Sequence, residues 1–324
     1  MHTVSVAREA MATRFEIVLH GDNPVSLRAA GEEALDEFER IECRLSLYRP
    51  DSEIAHVNAR AAREAVRVSP PTFRLLEQAA RLSAETGGAF DITIGPLMRC
   101  WGFVGGCGQL PSSEAIAEAR ARVGMNLVEL DASKFTVRFA RDGVMLDLGA
   151  IGKGYAVGIG ADILREAGVS SALIHGGTSS VFALGHPPES DAWKIAIERP
   201  VVEIIEGAPP ALAGVSPADH SPDLLAVIPL CDQALSVSAV WGKSFQSAGK
   251  TFGHVLDPRT GEPTSRAVFA AVALTCATET DALSTALLTL GASGLGLLVR
   301  LRPQARLLVA ELCGEEIVAE NRGM

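Results

Sequence analysis

The chain contains 324 residues, of which 48% are hydrophobic and 21% charged, and its formal net charge is −10. This size and balance are typical of a soluble globular protein with one large or two modest domains. The acidic charge argues against nucleic acid or an anionic membrane as the general partner, because both recruit positively charged surfaces.

The first half of the chain predicts a hairpin, several helices and a loop-rich stretch. Residues 3–8 and 13–20 alternate between apolar and polar side chains, as paired strands do. Residues 24–45 repeat apolar side chains at helical spacing, and Ser52 is suited to cap a short helix. The predicted helices are 24–45, 52–58, 70–86 and a further helix before Gly124, with a stretch of no clear period at 87–106.

The second half predicts mostly strands, interrupted by three helices. A helix follows Tyr155 and ends at Gly168, and two more cover 280–290 and 294–300. Residues 201–222 are rich in Pro, Ala, Asp and Gly, which is typical of a surface excursion. The predicted strands are 127–130, 135–140, 144–148, 171–175, 179–184, 193–198, 224–228, 234–237, 269–274 and 306–312. This mixture of hairpins and packed helices predicts an α+β fold with largely antiparallel sheet.

The cysteines and the N-terminus bear on the cellular compartment. The six cysteines are scattered and include no CxxC pair, so we expect reduced thiols and no zinc site. Residues 1–21 carry charges where a secretory signal would be apolar. No uninterrupted apolar run reaches the ~18 residues of a membrane helix. The sequence therefore predicts a cytoplasmic protein without a membrane span.

The stretch DLGAIGKGY, residues 147–155, predicts a strand, a glycine loop and a helix in succession. Gly149, Gly152 and Gly154 would let backbone N–H groups approach an anion at the helix N-terminus, and Lys153 would balance phosphate charge. The alternatives are a tight turn without a ligand and a solvated lysine. The pattern is neither GxGxxG nor a P-loop, because no Ser or Thr follows the Gly-Lys pair.

A candidate metal site lies on the helix predicted from Thr280. Asp281 and Thr285 are four residues apart on one helix face, with Ser284 adjacent. A carboxylate, hydroxyls and backbone carbonyls are hard oxygen ligands that suit Mg²⁺, which usually shares its shell with substrate phosphates. The alternative is that Asp281 complements the helix dipole in the first turn, with Thr280 as N-cap.

Other residues carry weaker signals. His254 begins the turn HVLDPRTGEP and could accept a proton, with an intrinsic pKa near ~6.5, or could only stabilise the turn. Asp91 could border a pocket or cap a turn. Tyr48 and Met11 could pack on an aromatic ring or belong to the core.

Taken together, the motifs resemble the ApbE family, the FAD:protein FMN transferases. The resemblance spans nearly the whole chain, and the order of the KGYA loop, the HxxDPRTG turn and the DAxxTA helix is highly specific. The segments are MATRFEI (11–17), LYRPDSEIAHVNA (47–59), GGAFDITIGPL (87–97) with Trp101-Gly102, DLGAIGKGYAVG (147–158), HGGTSSVFALG (175–185), WKIAIERP (193–200), HVLDPRTGEP (254–263) and DALSTALLTLG (281–291).

The resemblance implies a single two-lobed unit over residues 1–324, with mixed, largely antiparallel sheets packed by helices. It implies Mg²⁺-dependent transfer of FMN from FAD to a threonine hydroxyl of a partner protein, with release of AMP. The partner would be a flavoprotein subunit with an Asp-x-x-Ser/Thr-x-Ala-Thr-like segment. Two alternatives stay open: hydrolysis of FAD to FMN and AMP, and a paralogue that holds FAD without turnover.

The resemblance also assigns residues. It implies that His254 is the general base toward the acceptor hydroxyl, or a contact to the flavin phosphates. The catalytic assignments are His254 and Asp281; the metal ligands are Asp281, Ser284, Thr285 and the carbonyl of Gly152; and the FAD pocket is lined by Met11, Tyr48, Ala89, Phe90, Asp91, Gly149, Lys153, Tyr155 and Leu256.

The chain departs from the family pattern at several positions. It has Ala12 where the family usually has glycine, Gly158 where it has aspartate, and Thr178 where it has an acid. The family's Thr-Ser-Gly is here Val237-Ser238-Ala239. These departures bear on the acceptor and on transfer more than on FAD or metal binding.

Overall fold

A computed structural model describes residues 1–106, 108–200, 202–203, 211–212, 223–242, 244–247, 249–314 and 316–324. The predicted surface excursion at 201–222 lies outside these residues except for two dipeptides, which pair with each other as a short antiparallel ladder. No helix in the described part of the chain is long and apolar enough to cross a membrane.

The described residues form strands and helices in nearly equal share, and all of the strand pairings are antiparallel. In chain order they are β1 (His2–Ala10), β2 (Thr13–Gly21), β3 (Val66–Arg67), β4 (Val128–Asp131), β5 (Thr136–Phe139), β6 (Ser171–Gly176), β7 (Ser180–Leu184), β8 (Trp193–Glu198), β9 (Val202–Glu203), β10 (Ala211–Leu212), β11 (Leu224–Leu230), β12 (Gln233–Ala239), β13 (Ser244–Ser247), β14 (Lys250–Gly253), β15 (Ala267–Leu274), β16 (Arg306–Cys313) and β17 (Glu316–Arg322).

Helices connect and cover these strands. Short 3₁₀ turns lie at Ile92–Ile94, Met125–Leu127 and Ala292–Gly294. The α-helices are α1 (Pro24–Leu45), α2 (Glu53–Arg60), α3 (Pro70–Glu85), α4 (Gly95–Cys100), α5 (Ser113–Arg120), α6 (Gly152–Glu166), α7 (Ala277–Leu290) and α8 (Leu295–Leu301).

The main sheet of the described residues has the order β1-β2-β6-β7-β12-β15-β16-β17. Successive side chains of its strands face opposite sides, so Ile174 joins the core under α1, α6 and α7, whereas Leu173 packs on the other face. That other face is covered by the β8–β11 hairpin through Trp193 and Ile228. The predicted α+β fold with largely antiparallel sheets is therefore confirmed, while its division into two lobes stays a prediction.

Several predicted boundaries agree closely with the structure because local capping signals set them. Asn23 accepts hydrogen bonds from the N–H groups of Val25 and Ser26 at the start of α1. Ser52 accepts from the N–H of Ala55 at 2.9 Å and caps α2, as its position predicted.

The predicted strand at 144–148 is wrong. The segment is almost entirely buried but pairs with none of the described strands, because the side chain of Asn58 binds both the N–H and the C=O of Leu146, at 2.7 and 2.9 Å. The N–H of Asp147 donates to the carbonyl of Ile92 at 2.7 Å. The side chain of Asn58 and the carbonyl of Ile92 therefore make the backbone hydrogen bonds that a neighbouring strand was expected to make.

Other differences concern elements that lack a clear local pattern. α6 begins at Gly152 rather than after Tyr155, and the loop-rich stretch contains a 3₁₀ turn and α4. The β13–β14 hairpin and the edge strand β17 were not predicted. Their side chains are largely polar or exposed, so they carry little of the alternation from which strands are predicted.

The turn between β1 and β2 is strained at Ala12. Met11 and Ala12 have φ of 50° and 57°, as in a type I′ turn, which favours Asn-Gly. We expect Ala12→Gly to raise the free energy of unfolding by about 1 kcal/mol, because glycine adopts positive φ without a Cβ clash. Urea denaturation measures the change. Ala10→Gly, in the extended strand just before the turn, serves as control and should lower stability; equal shifts would refute the argument.

Arg302 joins three helices in a largely buried ion cluster. Its guanidinium donates to Glu279 at 2.7 and 2.9 Å and to Glu85 at 2.8 Å, and Arg81 also binds Glu279. Arg302 and Glu279 are only 15% and 12% exposed. Hydrogen bonding to Glu279 is the main cause of the raised pKa of Arg302, so the guanidinium stays charged.

We expect Arg302→Met to lower the free energy of unfolding by about 2–3 kcal/mol, because Glu279 loses its principal partner while it remains buried. Chemical denaturation provides the measurement. Arg40→Met, which removes the exposed partner of Glu37 on α1 and leaves Glu37 paired with Arg44, is the matched control and should cost about 0.5 kcal/mol or less. Similar losses in both variants would show that the cluster does not tie the helices together.

Candidate active site

The candidate site is built where α6 crosses α7. The backbone N–H of Gly154, in the first turn of α6, donates to the Asp281 carboxylate at 2.8 Å. A Cβ at Gly154 would lie 2.3 Å from the carbonyl oxygen of Ala277 and 2.6 Å from the Cβ of Asp281. Glycine is therefore required for this approach, which directs the positive end of α6 at the carboxylate.

Asp281 is buried, with only 3% of its surface exposed. Burial raises its pKa, and the charge of Lys153 and hydrogen bonds from the N–H groups of Gly154 and Lys153 oppose that shift. A buried carboxylate of this kind is costly to ionise unless a cation lies beside it.

Asp281 does not occupy the first turn of its helix, contrary to the alternative interpretation. α7 begins at Ala277 with Cys276 as N-cap, so Asp281 lies in the second turn. Thr280 is not a cap either, because its hydroxyl donates to the carbonyl of Ala277 and contacts Ser236 at 2.8 Å.

Hydroxyl groups of α7 and β12 cluster around the backbone carbonyl of Asp281. Ser284 donates to the backbone carbonyl of Asp281 at 2.9 Å, and Thr285 lies 3.4 Å from the same oxygen. The Ser238 hydroxyl lies 2.9 Å from that of Ser284 and 3.1 Å from that of Thr285. Three candidate metal ligands are therefore clustered on α7, and Ser238 completes the group from the sheet.

The glycine loop extends the site from α7 toward Tyr48. Lys153 Nζ lies 3.4 Å from the carbonyl oxygen of Gly149, whose own N–H donates to Asp147 at 2.8 Å. Tyr48 is 64% exposed, and its pKa is raised by partial burial and by the negative charge of Asp147. Tyr48 therefore lies near the glycine loop that contains Gly149 and Lys153.

The segment 89–91 directly precedes a residue that bonds the glycine loop. Ile92, the next residue, accepts the hydrogen bond from Asp147 described above. The side chains of Ala89 and Phe90 are buried in the main core. Contact of this segment with FAD stays a prediction.

The carboxylate of Asp91 accepts hydrogen bonds from four neighbouring groups. It accepts from the N–H and hydroxyl of Thr93, from the hydroxyl of Ser83 and from the N–H of Met125, at 2.6 to 3.1 Å. Asp91 therefore caps the 3₁₀ turn that follows it, which is the second of the two roles that the sequence predicted for it.

The turn at 254–263 packs against a small aromatic core. Leu256 is buried there with Leu97 and Trp101, and the Trp101 indole donates to the carbonyl of Gly261 at 2.8 Å. The ring of His254 meets the edge of Phe103 with centroids 6.4 Å apart. The role of His254 as a base stays a prediction.

Two predicted residues remain, one in the β1–β2 turn and one in the first turn of α6. Met11 occupies the β1–β2 turn and is partly buried against the main core. Tyr155 follows Gly154, and burial raises its pKa while the charges of Arg44 and Arg74 lower it. Their contacts with FAD stay predictions.

Gly154 was predicted to let backbone N–H groups approach an anion, but its contact with Asp281 on α7 could not be predicted from the sequence. Ser238 was named only within the segment that replaces the family's Thr-Ser-Gly, without a role. Ser236 and Ser238 alternate on β12, and this polar pair within an otherwise apolar strand was the available signal.

The residues present fit Mg²⁺ better than a metal held by protein alone. No group of three His, Cys, Asp or Glu side chains suited to a metal occurs among the described residues. The cluster offers one buried carboxylate, hydroxyls and the carbonyl of Gly152 at the start of α6. Mg²⁺ typically takes few protein ligands and completes its shell with water and substrate phosphates.

Comparison with known proteins agrees with this fold. The chain is 29% identical over 302 residues to the FAD:protein FMN transferase of Haemophilus influenzae, which covers 89% of this chain and 81% of that protein. The crystal structure of an ApbE protein from Thermotoga maritima matches with a TM-score of 0.83 and 27% identity, over 98% and 96% of the two chains. The apo flavinyl transferase ApbE of Pseudomonas stutzeri matches with a TM-score of 0.81 and 28% identity, over 99% and 95%.

The fold and the relatives define an enzyme of the transferase class, as predicted. The model of the ApbE family matches residues 11–308. The chain belongs to the ApbE family, and the resemblance drawn from its motifs is confirmed.

Proposed function

We propose that this protein transfers FMN from FAD to a threonine hydroxyl of a partner protein, in a Mg²⁺-dependent reaction that releases AMP. Family membership supports flavin transfer from FAD. The observation that carries the metal dependence is the buried Asp281 carboxylate, which accepts a hydrogen bond from Gly154 at the N-terminus of α6, while the Ser284 hydroxyl contacts the backbone carbonyl of the same residue.

In this proposal Asp281, Ser284, Thr285 and the Gly152 carbonyl hold the metal. Mg²⁺ would neutralise charge on the FAD pyrophosphate and favour departure of AMP. Lys153 and the N–H groups at the start of α6 stabilise the negative charge that develops on the phosphoryl oxygens. In this proposal most of the catalytic effect is electrostatic.

The bond changes are those of a single phosphoryl substitution. The threonine oxygen of the acceptor forms a bond to the FMN phosphorus, the bond from that phosphorus to the bridging oxygen breaks, and AMP leaves with that oxygen. His254 accepts the threonine proton. The FAD pocket is lined by Met11, Tyr48, Ala89, Phe90, Asp91, Gly149, Tyr155 and Leu256.

The acceptor is proposed to carry an Asp-x-x-Ser/Thr-x-Ala-Thr-like segment and to be cytoplasmic, as this protein is expected to be. The test is to incubate the protein with FAD, with and without Mg²⁺ and with and without a peptide of that sequence, and to follow AMP and FMN by chromatography. Mg²⁺-dependent AMP release with flavin bound covalently to the peptide is the expected result. Free FMN in all Mg²⁺ samples would favour the hydrolase instead, and intact bound FAD without AMP would contradict both reactions.

We expect His254→Ala to lower the rate of peptide flavinylation by about 10²–10⁴-fold, because the acceptor hydroxyl loses its base. FAD binding should change little, so flavin fluorescence titration accompanies the rate measurement. His186→Ala, an exposed histidine on the loop after β7, is the control and should keep the wild-type rate. Wild-type flavinylation by the His254 variant would remove this residue from the mechanism.

A further inference from the structure

We propose that Ser238 is a positioning residue of the metal site, and that its hydroxyl orients Thr285 so that the threonine oxygen faces the cation. This inference rests on the proposed function, because it concerns the metal held by Asp281 and Thr285. Ser238 lies on β12 at the serine of the family's Thr-Ser-Gly segment, and the resemblance assigns it no role.

The position of Ser238 follows from the alternation of the strand. Ser236 and Ser238 are two residues apart, so both face α7. Ser236 contacts Thr280, whereas Ser238 lies 2.9 Å from Ser284 and 3.1 Å from Thr285. Strand β12 thus presents one hydroxyl to each of two successive helical turns, and only the second contacts the candidate ligands.

Each of the three clustered hydroxyls has one hydrogen to donate, and this limits the arrangement. Ser284 donates to the backbone carbonyl of Asp281 at 2.9 Å. Its oxygen can then accept from Ser238 at 2.9 Å, and Ser238 can accept from Thr285 at 3.1 Å. The chain of donors therefore runs from Thr285 to Ser238, to Ser284 and to the carbonyl of Asp281.

This arrangement of hydrogen bonds turns the Thr285 hydrogen toward Ser238, so that a lone pair of the Thr285 oxygen faces the cation. A hydroxyl binds a cation through a lone pair, so its hydrogen must point to an acceptor away from the metal. The other acceptor available to Thr285 is the Asp281 carbonyl, which is 3.4 Å away and already takes the Ser284 hydrogen. Without Ser238, Thr285 loses its better acceptor and the orientation of its oxygen is no longer fixed. Groups that orient metal ligands in this way typically affect metal affinity by 10–100-fold.

The test uses Mn²⁺ as the probe, bound to the full-length protein without FAD and followed by electron paramagnetic resonance. We expect Ser238→Ala to weaken Mn²⁺ binding by about 10-fold or more. Ser238→Thr, which retains the hydroxyl, should bind Mn²⁺ nearly as the wild type does. Ser236→Ala is the matched control, since it removes the neighbouring hydroxyl on the same strand face, and its Mn²⁺ affinity should be unchanged.

A second readout separates positioning from a general loss of structure. In FAD cleavage, the Mg²⁺ concentration for half-maximal rate should rise in Ser238→Ala by the same factor as the Mn²⁺ dissociation constant. The rate at saturating Mg²⁺ should recover to nearly the wild-type value, because the defect lies in binding. If Ser238→Ala fails to fold, Ser238→Cys retains the volume with a weak acceptor and should show the same shift.

The outcomes distinguish a failure of the role proposed for Ser238 from a failure of the proposed function. Wild-type Mn²⁺ affinity in both Ser238→Ala and Ser238→Cys would overturn the role of Ser238 and leave the proposed function standing. Equal weakening by Ser238→Ala and Ser236→Ala would also overturn it, since the effect would then be structural. Wild-type protein that binds no Mn²⁺ and needs no Mg²⁺ to cleave FAD would contradict the proposed metal dependence itself.

Discussion

Asp281→Asn is expected to lower the rate of Mg²⁺-dependent FAD cleavage by about 10³-fold or more while the protein stays folded. The amide oxygen of asparagine can still accept the hydrogen bond from Gly154, so the crossing of α6 and α7 is retained. What is lost is the negative charge that holds the dication, and with it the electrostatic stabilisation of the transferred phosphoryl group. AMP release, followed by chromatography, measures the effect.

The stability of the same variant provides an independent check. Burial raises the pKa of Asp281, because ionising this carboxylate costs more free energy in the folded protein than in the unfolded chain. We expect Asp281→Asn to be more stable than the wild type without Mg²⁺, because the amide carries no buried charge. Adding Mg²⁺ should stabilise the wild type and leave the variant unchanged.

Asp162→Asn is the control for both measurements. Asp162 lies farther along α6, is largely exposed and pairs with Arg165, so neither activity nor its Mg²⁺ dependence should change. If Asp281→Asn cleaved FAD at the wild-type rate, the metal assignment would be wrong. A large loss of activity in Asp162→Asn would show that general charge, rather than coordination, is responsible.

Gly154→Ala is expected to lower the free energy of unfolding by about 3 kcal/mol and to abolish the Asp281 hydrogen bond. The added methyl would lie 2.3 Å from the carbonyl oxygen of Ala277 and 2.6 Å from the Cβ of Asp281, so the helices must separate. Overpacking at a buried contact typically costs 1–3 kcal/mol, and here the obstacle includes backbone that cannot move aside easily. Chemical denaturation and Mg²⁺-dependent AMP release together measure both consequences.

Gly158 provides a matched control one helical turn later. A Cβ there would lie 3.6 Å from the Cβ of Ala277, which is ordinary contact. Gly158→Ala should therefore raise stability by about 0.5–1 kcal/mol, since alanine is the better helix former. If the two alanine variants had similar stability, close approach at Gly154 would not be what joins α6 to α7.

The long helices and the alternating strands could be predicted because their signals are local. α1 and the β1–β2 hairpin carry a sustained period, and Asn23 and Ser52 cap helices through their own neighbours. The strand predicted at 144–148 shows the limit of such signals. An apolar run indicates burial, but the partner of its backbone was the side chain of Asn58, nearly ninety residues earlier.

For the site, the sequence by itself determined the family and the pairing of Asp281 with Thr285, because motif order and i,i+4 spacing are properties of the chain alone. Only the tertiary structure decided which groups support that pair. The N–H of Gly154 and the hydroxyl of Ser238 reach α7 from a different helix and from the sheet. Distances between separate elements arise from packing, and no periodicity within one element encodes them.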